Sequence, residues 1–172
     1  EGGVSVAAAV GVNVGVATTV ATVAKGRSIT AGGALKVATT TQTDASAKAD
    51  GSQIDSGGTD VGVGAAVALN VGVATSVASV ADNSRVTAQG VTVSATTTTG
   101  EKNDFGADAK SGAGAGNVGV AGSLALNVAV NTNVASIEGD KDSSGLGASV
   151  AAGGGDISIQ AQNASTSTVK AG

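Results

Sequence analysis

The chain has no Cys, His, Met, Trp, Tyr or Pro, and one aromatic residue, Phe105. Each absence closes something off. Without Cys there is no disulfide framework and no thiol redox chemistry, and the compartment stays open. Without His or Cys the usual acid–base and nucleophilic groups are missing. Carboxylate pairs remain at Asp104/Asp108 and Asp140/Asp142, but both sit in Gly-rich polar segments that read as solvated loops. The sequence therefore predicts no catalytic residues, no cofactor and a protein that is not an enzyme. Without Trp or Tyr there are no aromatic girdles of the kind a transmembrane β-barrel carries. The nine basic residues are scattered and not interleaved with aromatics on which bases could stack, so nucleic acid is not an expected partner. The net charge of −4 reads as a solubility feature. No signal peptide and no transmembrane segment is visible.

What is present is a narrow alphabet of Gly, Ala, Val, Thr and Ser. Generic Gly- and Ser-rich chains are disordered, but here 41% of residues are hydrophobic and strongly patterned. Large side chains are too few for a conventional core. A thin interior lined by Val, Ile, Leu and Ala suits a stacked β-architecture, in which each layer hydrogen-bonds to the next.

Internal repetition organises the chain. Val4–Val23 (VSVAAAVGVNVGVATTVATV), Val61–Val80 (VGVGAAVALNVGVATSVASV) and Val118–Ile137 (VGVAGSLALNVAVNTNVASI) align without gaps, at intervals of 57 residues. Asn13, Asn70 and Asn127 fall in register. A second shared block follows, as SITAGGALKVATTT, RVTAQGVTVSATTTT and SVAAGGGDISIQAQ. It arrives late in the third copy, which marks an insertion near residues 138–147. The repeats run 4–60, 61–117 and 118–172, the third incomplete, within a single solenoid segment spanning 1–172. Glu1 at the start and Gly172 at the end read as a window on a longer array. The third part of each repeat is polar and loop-like, with Ile54 and Phe105 the large apolar groups available to pin it.

In the first block apolar residues alternate strictly, the period of a β-strand. About 17 residues in one strand would span roughly 55 Å, beyond the usual length, so a bend at a Gly or at the repeat Asn is expected. Alternation, small turn residues and a long repeat predict an all-β fold, a parallel β-helix (β-solenoid) built from three 57-residue repeats. Coils near 28 residues would give two per repeat; coils of about 19 residues, the favoured reading, would give three and a rod roughly 40 Å long. An Asn ladder through Asn13, Asn70 and Asn127 would then not be contiguous. With Val and Leu inward, the opposite parity (Gly62, Gly64, Ala66, Ala68, Asn70) becomes a candidate assembly face against a neighbouring subunit or another layer of the same chain.

The succession VGVGAAVALNV (61–71), VATSVASV (73–80) and RVTAQGVTVSATTTT (85–99) resembles the repeats of giant bacterial surface proteins, the filamentous-haemagglutinin-like and leukotoxin-type filamentous adhesins. The resemblance implies secretion, an extracellular or bacterial cell-surface location, a β-helical shaft and adhesion. Expected partners are other copies or adjoining repeats of a longer chain, with a host or surface glycan or protein as ligand. The alternative function is a discrete soluble solenoid that binds ice or glycan.

Three local features remain. Glu138, Asp140 and Asp142 place three carboxylates within five residues, an oxygen-rich loop of the kind calcium favours. The spacing departs from the EF-hand, and Lys141 sits in the middle, so a solvated loop and no metal is the expectation. Threonine rows at Thr39/Thr41/Thr43, Thr96/Thr98 and Thr166/Thr168 invite comparison with ice-binding arrays, though Thr also suits exposed strands. Asn163-Ala164-Ser165 matches an N-glycosylation sequon.

Overall fold

A computed structural model describes residues 3–53, 59–140 and 145–172. Twelve strands fall into three sets of four. The first set is β1 (Gly3–Val23), β2 (Ser28–Thr30), β3 (Leu35–Thr41) and β4 (Asp44–Ser52). The second is β5 (Thr59–Val80), β6 (Arg85–Thr87), β7 (Val91–Thr97) and β8 (Asn103–Gly112). The third is β9 (Val118–Ile137), β10 (Ser149–Ala151), β11 (Ile157–Gln162) and β12 (Ser165–Ala171). They stack as four three-stranded sheets, β1-β5-β9, β2-β6-β10, β3-β7-β11 and β4-β8-β12. Every pairing among the described residues is parallel. The chain is an all-β parallel solenoid of repeats.

One repeat makes one coil, not three. Val4 pairs with Val61 and Val61 with Val118, so identical repeat positions lie on adjacent strands. The three strands of a sheet therefore span only about 10 Å of axis, at about 4.8 Å per step, in place of the 40 Å rod that shorter coils would build. Nor does the long strand bend. β1 runs 21 residues, about 65 Å at 3.3 Å per residue. From Val4 to Val23 each residue has a partner in β5, so the ladder continues uninterrupted and no corner is needed.

The corners lie elsewhere. After β1 the chain turns at Ala24–Arg27, with Gly26 at φ 69°. The equivalent place in the second coil holds Asn83 at φ 53°, the one non-glycine with positive φ among the described residues. Asn is the side chain that best tolerates this conformation after Gly. The corner is thus made at Asn83 and not at the repeat Asn, where a bend is expected from the sequence.

Beyond the corner, β2, β3 and β4 run back over the long strand of the same coil. Gly15 faces Ala45 and Gly11 faces Lys48. The interior between the two layers tapers. At the wide end Val23, Val37, Val80, Val86, Val91 and Val93 form a small aliphatic cluster. At the narrow end Ala47, Ala49, Ala66, Ala68, Ala107 and Ala109 meet with little else between the backbones.

Which parity faces inward is the largest departure from expectation. In β5 the residues Gly62, Gly64, Ala66, Ala68, Asn70, Gly72, Ala74, Ser76 and Ala78 are buried, while their Val and Leu neighbours point away. The reason is distance. A Cβ on Gly62 would lie 2.7 Å from the Gly114 carbonyl oxygen, and one on Gly11 or Gly64 would run into the Lys48 or Gly112 carbonyl. Layers this close admit only Gly and Ala between them, so the larger aliphatic side chains are displaced to the outside.

Candidate assembly surfaces

The three repeat asparagines form a continuous ladder. Asn13 Nδ2 donates to Asn70 Oδ1 at 2.8 Å, and Asn70 Nδ2 donates to Asn127 Oδ1 at 2.7 Å. Coils of 57 residues bring them onto adjacent strands, which the shorter coil would have kept apart. Two of the three amides also reach across the interior. Asn70 Nδ2 donates to the Ala45 carbonyl at 2.9 Å, and Asn127 Nδ2 to the Phe105 carbonyl at 3.2 Å and the Ser167 hydroxyl at 2.7 Å. Asn70 is fully buried, and its satisfied amide ties both layers and adjacent coils together.

Three further polar side chains hold corners and were missed in the sequence. Gln53 Nε2 donates to the Ser5 carbonyl and to the Val63 carbonyl at 3.2 Å, while its Oε1 accepts from Gly114 N–H at 3.1 Å. Asn103 Oδ1 accepts from Thr43 N–H at 2.8 Å, and Gln89 Oε1 accepts from Gly154 N–H at 3.2 Å. Each is a lone amide in a variable stretch of the repeat, where periodicity gives no signal. Ile54, expected to pin the same region, lies outside the described residues.

Of the two partners expected for the small-residue face, the structure shows the second, another layer of the same chain, and not a neighbouring subunit. Gly64, Ala66, Ala68 and Asn70 pack against β4 and β8 of the same chain, and Gly62 against Gln53 and Gly114 just beyond them, so no subunit can reach them. The free face is the opposite one. Val4, Val6, Val10, Val12, Val14, Val16 and Val20 of β1 are 61–73% exposed. In register beneath them stand Val61, Val63, Val67, Leu69, Val71, Val73 and Val77, then Val118, Val120, Leu124, Leu126, Val128, Val130 and Val134. Asp60 is the one charged residue in β1, β5 and β9 together.

The returning layer is the reverse in character. Its outer positions carry Lys36, Asp44, Lys48, Asp50, Asp104, Asp108, Lys110 and Lys170. In one column Lys48, Asp108 and Lys170 follow one another, and in the next Asp50 faces Lys110 at 4.0 Å. In these two columns alternating sign relieves the repulsion that parallel, in-register stacking of like residues would create, whereas Asp44 and Asp104 stack with like sign. A further cross-coil pair, Lys25 Nζ to Asp82 at 2.9 Å, sits beside the first corner.

The threonine rows do not form one array. Thr39 and Thr41 point inward, Thr39 Oγ1 lying 2.7 Å from Ser76 Oγ. Thr96 pairs with Thr40, while Thr166 and Thr168 pair with Asp104 and Gly106 in a different sheet. In the insertion, Glu138 and Asp140 follow β9, and Asp142 lies outside the described residues. No cluster of three or more acidic groups suited to a metal occurs among the described residues. The sequon Asn163 is exposed in the turn between β11 and β12. Among the described residues no helix is long and apolar enough to cross a membrane.

Compared with protein-family models, with curated proteins and with solved structures, the chain matches none.

Proposed function

We propose that the chain is a structural segment of a secreted bacterial surface adhesin or extracellular filament, acting as a stiff β-solenoid shaft and not as a catalyst. The observation that carries this reading is the open ladder. Among the described residues, the strands β1–β4 are paired on one side only, and so are β9–β12, so each of the four sheets ends in an unpaired strand in both axial directions. Unpaired parallel edges in matched register are templates for a further coil of the same kind. Stiffness follows from four ladders sharing one axis, with the Asn column crossing the interior between them. The resemblance of the Val/Ala/Asn blocks to filamentous adhesin repeats supports the extracellular, bacterial setting.

Electron microscopy and fibre diffraction of the purified chain test the reading. Elongated particles with a meridional spacing of about 4.8 Å are expected. Particles without the spacing of about 4.8 Å would overturn it, whereas dispersed single chains that keep the spacing are shaft segments that do not join end to end.

A further inference from the structure

We propose that the outer Val/Leu face of the β1-β5-β9 sheet is a lateral interface that pairs face to face with the same sheet of a second copy of this chain. The inference goes beyond axial stacking, because it uses a surface perpendicular to the open edges.

The face is a grid. Seven Val or Leu positions per strand repeat on three strands in register, giving columns of like residues along the solenoid axis. Columns two residues apart stand about 6.7 Å from each other, and strands about 4.8 Å. From Val4 to Val20 the grid is about 53 Å long and, across three strands, about 14 Å wide. That is roughly 740 Å² of mainly aliphatic surface, crossed by one threonine column, Thr18, Thr75 and Thr132, and larger than the biggest patch a monomer ordinarily leaves in water. It is also close to the ~800 Å² that each partner contributes to a standard specific interface.

Three features select a second copy as the occupant. Charge is absent from the grid, so a partner needs no complementary charge and any charged partner loses hydration without return. The columns are evenly spaced, so the ridges of one copy fit the troughs of another with the same spacing. One column is a ready trough, Ala8, Ala65 and Gly122, and a Cβ on Gly122 would meet nothing within 4 Å. Finally, a two-fold axis through such a grid brings the same patch onto itself, which is what a closed isologous dimer requires. Two sheets joined this way make an aliphatic sandwich with layers about 10 Å apart, each flanked by its own charged returning layer.

Sedimentation velocity and electron microscopy of the whole chain, alongside Leu69→Lys, provide the test. The native chain is expected to form pairs, or fibres two solenoids wide. Leu69→Lys is expected to weaken pairing about 30-fold or more and to give single-width particles. The substitution leaves the strand edges untouched, so single-width fibres in the variant separate lateral pairing from axial growth. If Leu69→Lys loses its β circular-dichroism spectrum, Val10→Lys and Leu124→Lys, at positions 73% and 61% exposed on the outer coils, give the same readout. A native chain that stays single-width overturns the proposal, as does pairing that survives these substitutions. Sedimentation of the native chain with neutral phosphatidylcholine vesicles in place of pairing would also overturn it, assigning the face to a lipid surface.

Discussion

The ring of Phe105 occupies the space that a side chain at residue 72 would need, and residue 72 is glycine. Phe105 is 1% exposed, alone of its kind, and packs with Ala45 and Ala74 where the Gly/Ala end of the interior gives way to the Val end. The flanking coils place Ala45 and Ser167 at the same register position. The middle coil thus carries one large plug, seated over a gap on the opposite strand.

This seating predicts non-additive energetics. Phe105→Ala should cost about 3–5 kcal/mol, and Gly72→Ala a further destabilisation of about 1–3 kcal/mol through overpacking. In the double variant the clash is gone, so the combined loss should fall short of the sum by at least about 0.5 kcal/mol. Urea unfolding of the four proteins measures it.

Asn70→Ala removes donors to Asn127 and Ala45 and the acceptor for Asn13. Leaving buried amides without partners should lower stability by about 2–3 kcal/mol. Asn13→Ala, at the half-buried end of the ladder, should cost less. Equal losses in chemical denaturation would contradict the ladder as the source.

Two glycine-to-alanine substitutions should have opposite signs. Gly64→Ala drives a methyl group into the Gly112 carbonyl and should destabilise by about 1–3 kcal/mol. Gly122→Ala faces open space in a strand and should stabilise by about 0.5 kcal/mol. Thermal melts resolve the contrast.

Much of the fold was legible because alternation and repetition are direct consequences of β-geometry. The 57-residue offset that aligns Val4, Val61 and Val118 in sequence is the same offset that pairs them in space. Reading it as three short coils per repeat hid the Asn ladder and shortened the strands. The choice of inner face was not legible, because period two defines two faces without saying which is buried. Assigning the interior to Val over Gly assumes layers of ordinary separation. Lys48 against Gly11 and Gly112 against Gly64 show layers close enough to admit no side chain, and that spacing depends on how the returning strands lie. The corner amides Gln53, Gln89 and Asn103 were invisible for a related reason, since each acts on backbone from another coil.

A coil of 57 residues advances the axis by a single strand spacing. Drawn out, the same residues would extend to about 190–200 Å, against about 4.8 Å while folded. Tension along the axis that peels one coil therefore releases some forty times its folded height as slack, while the neighbouring coils remain intact. In the proposed shaft role, each coil would be a store of hidden length that yields in a discrete step when something pulls on its end.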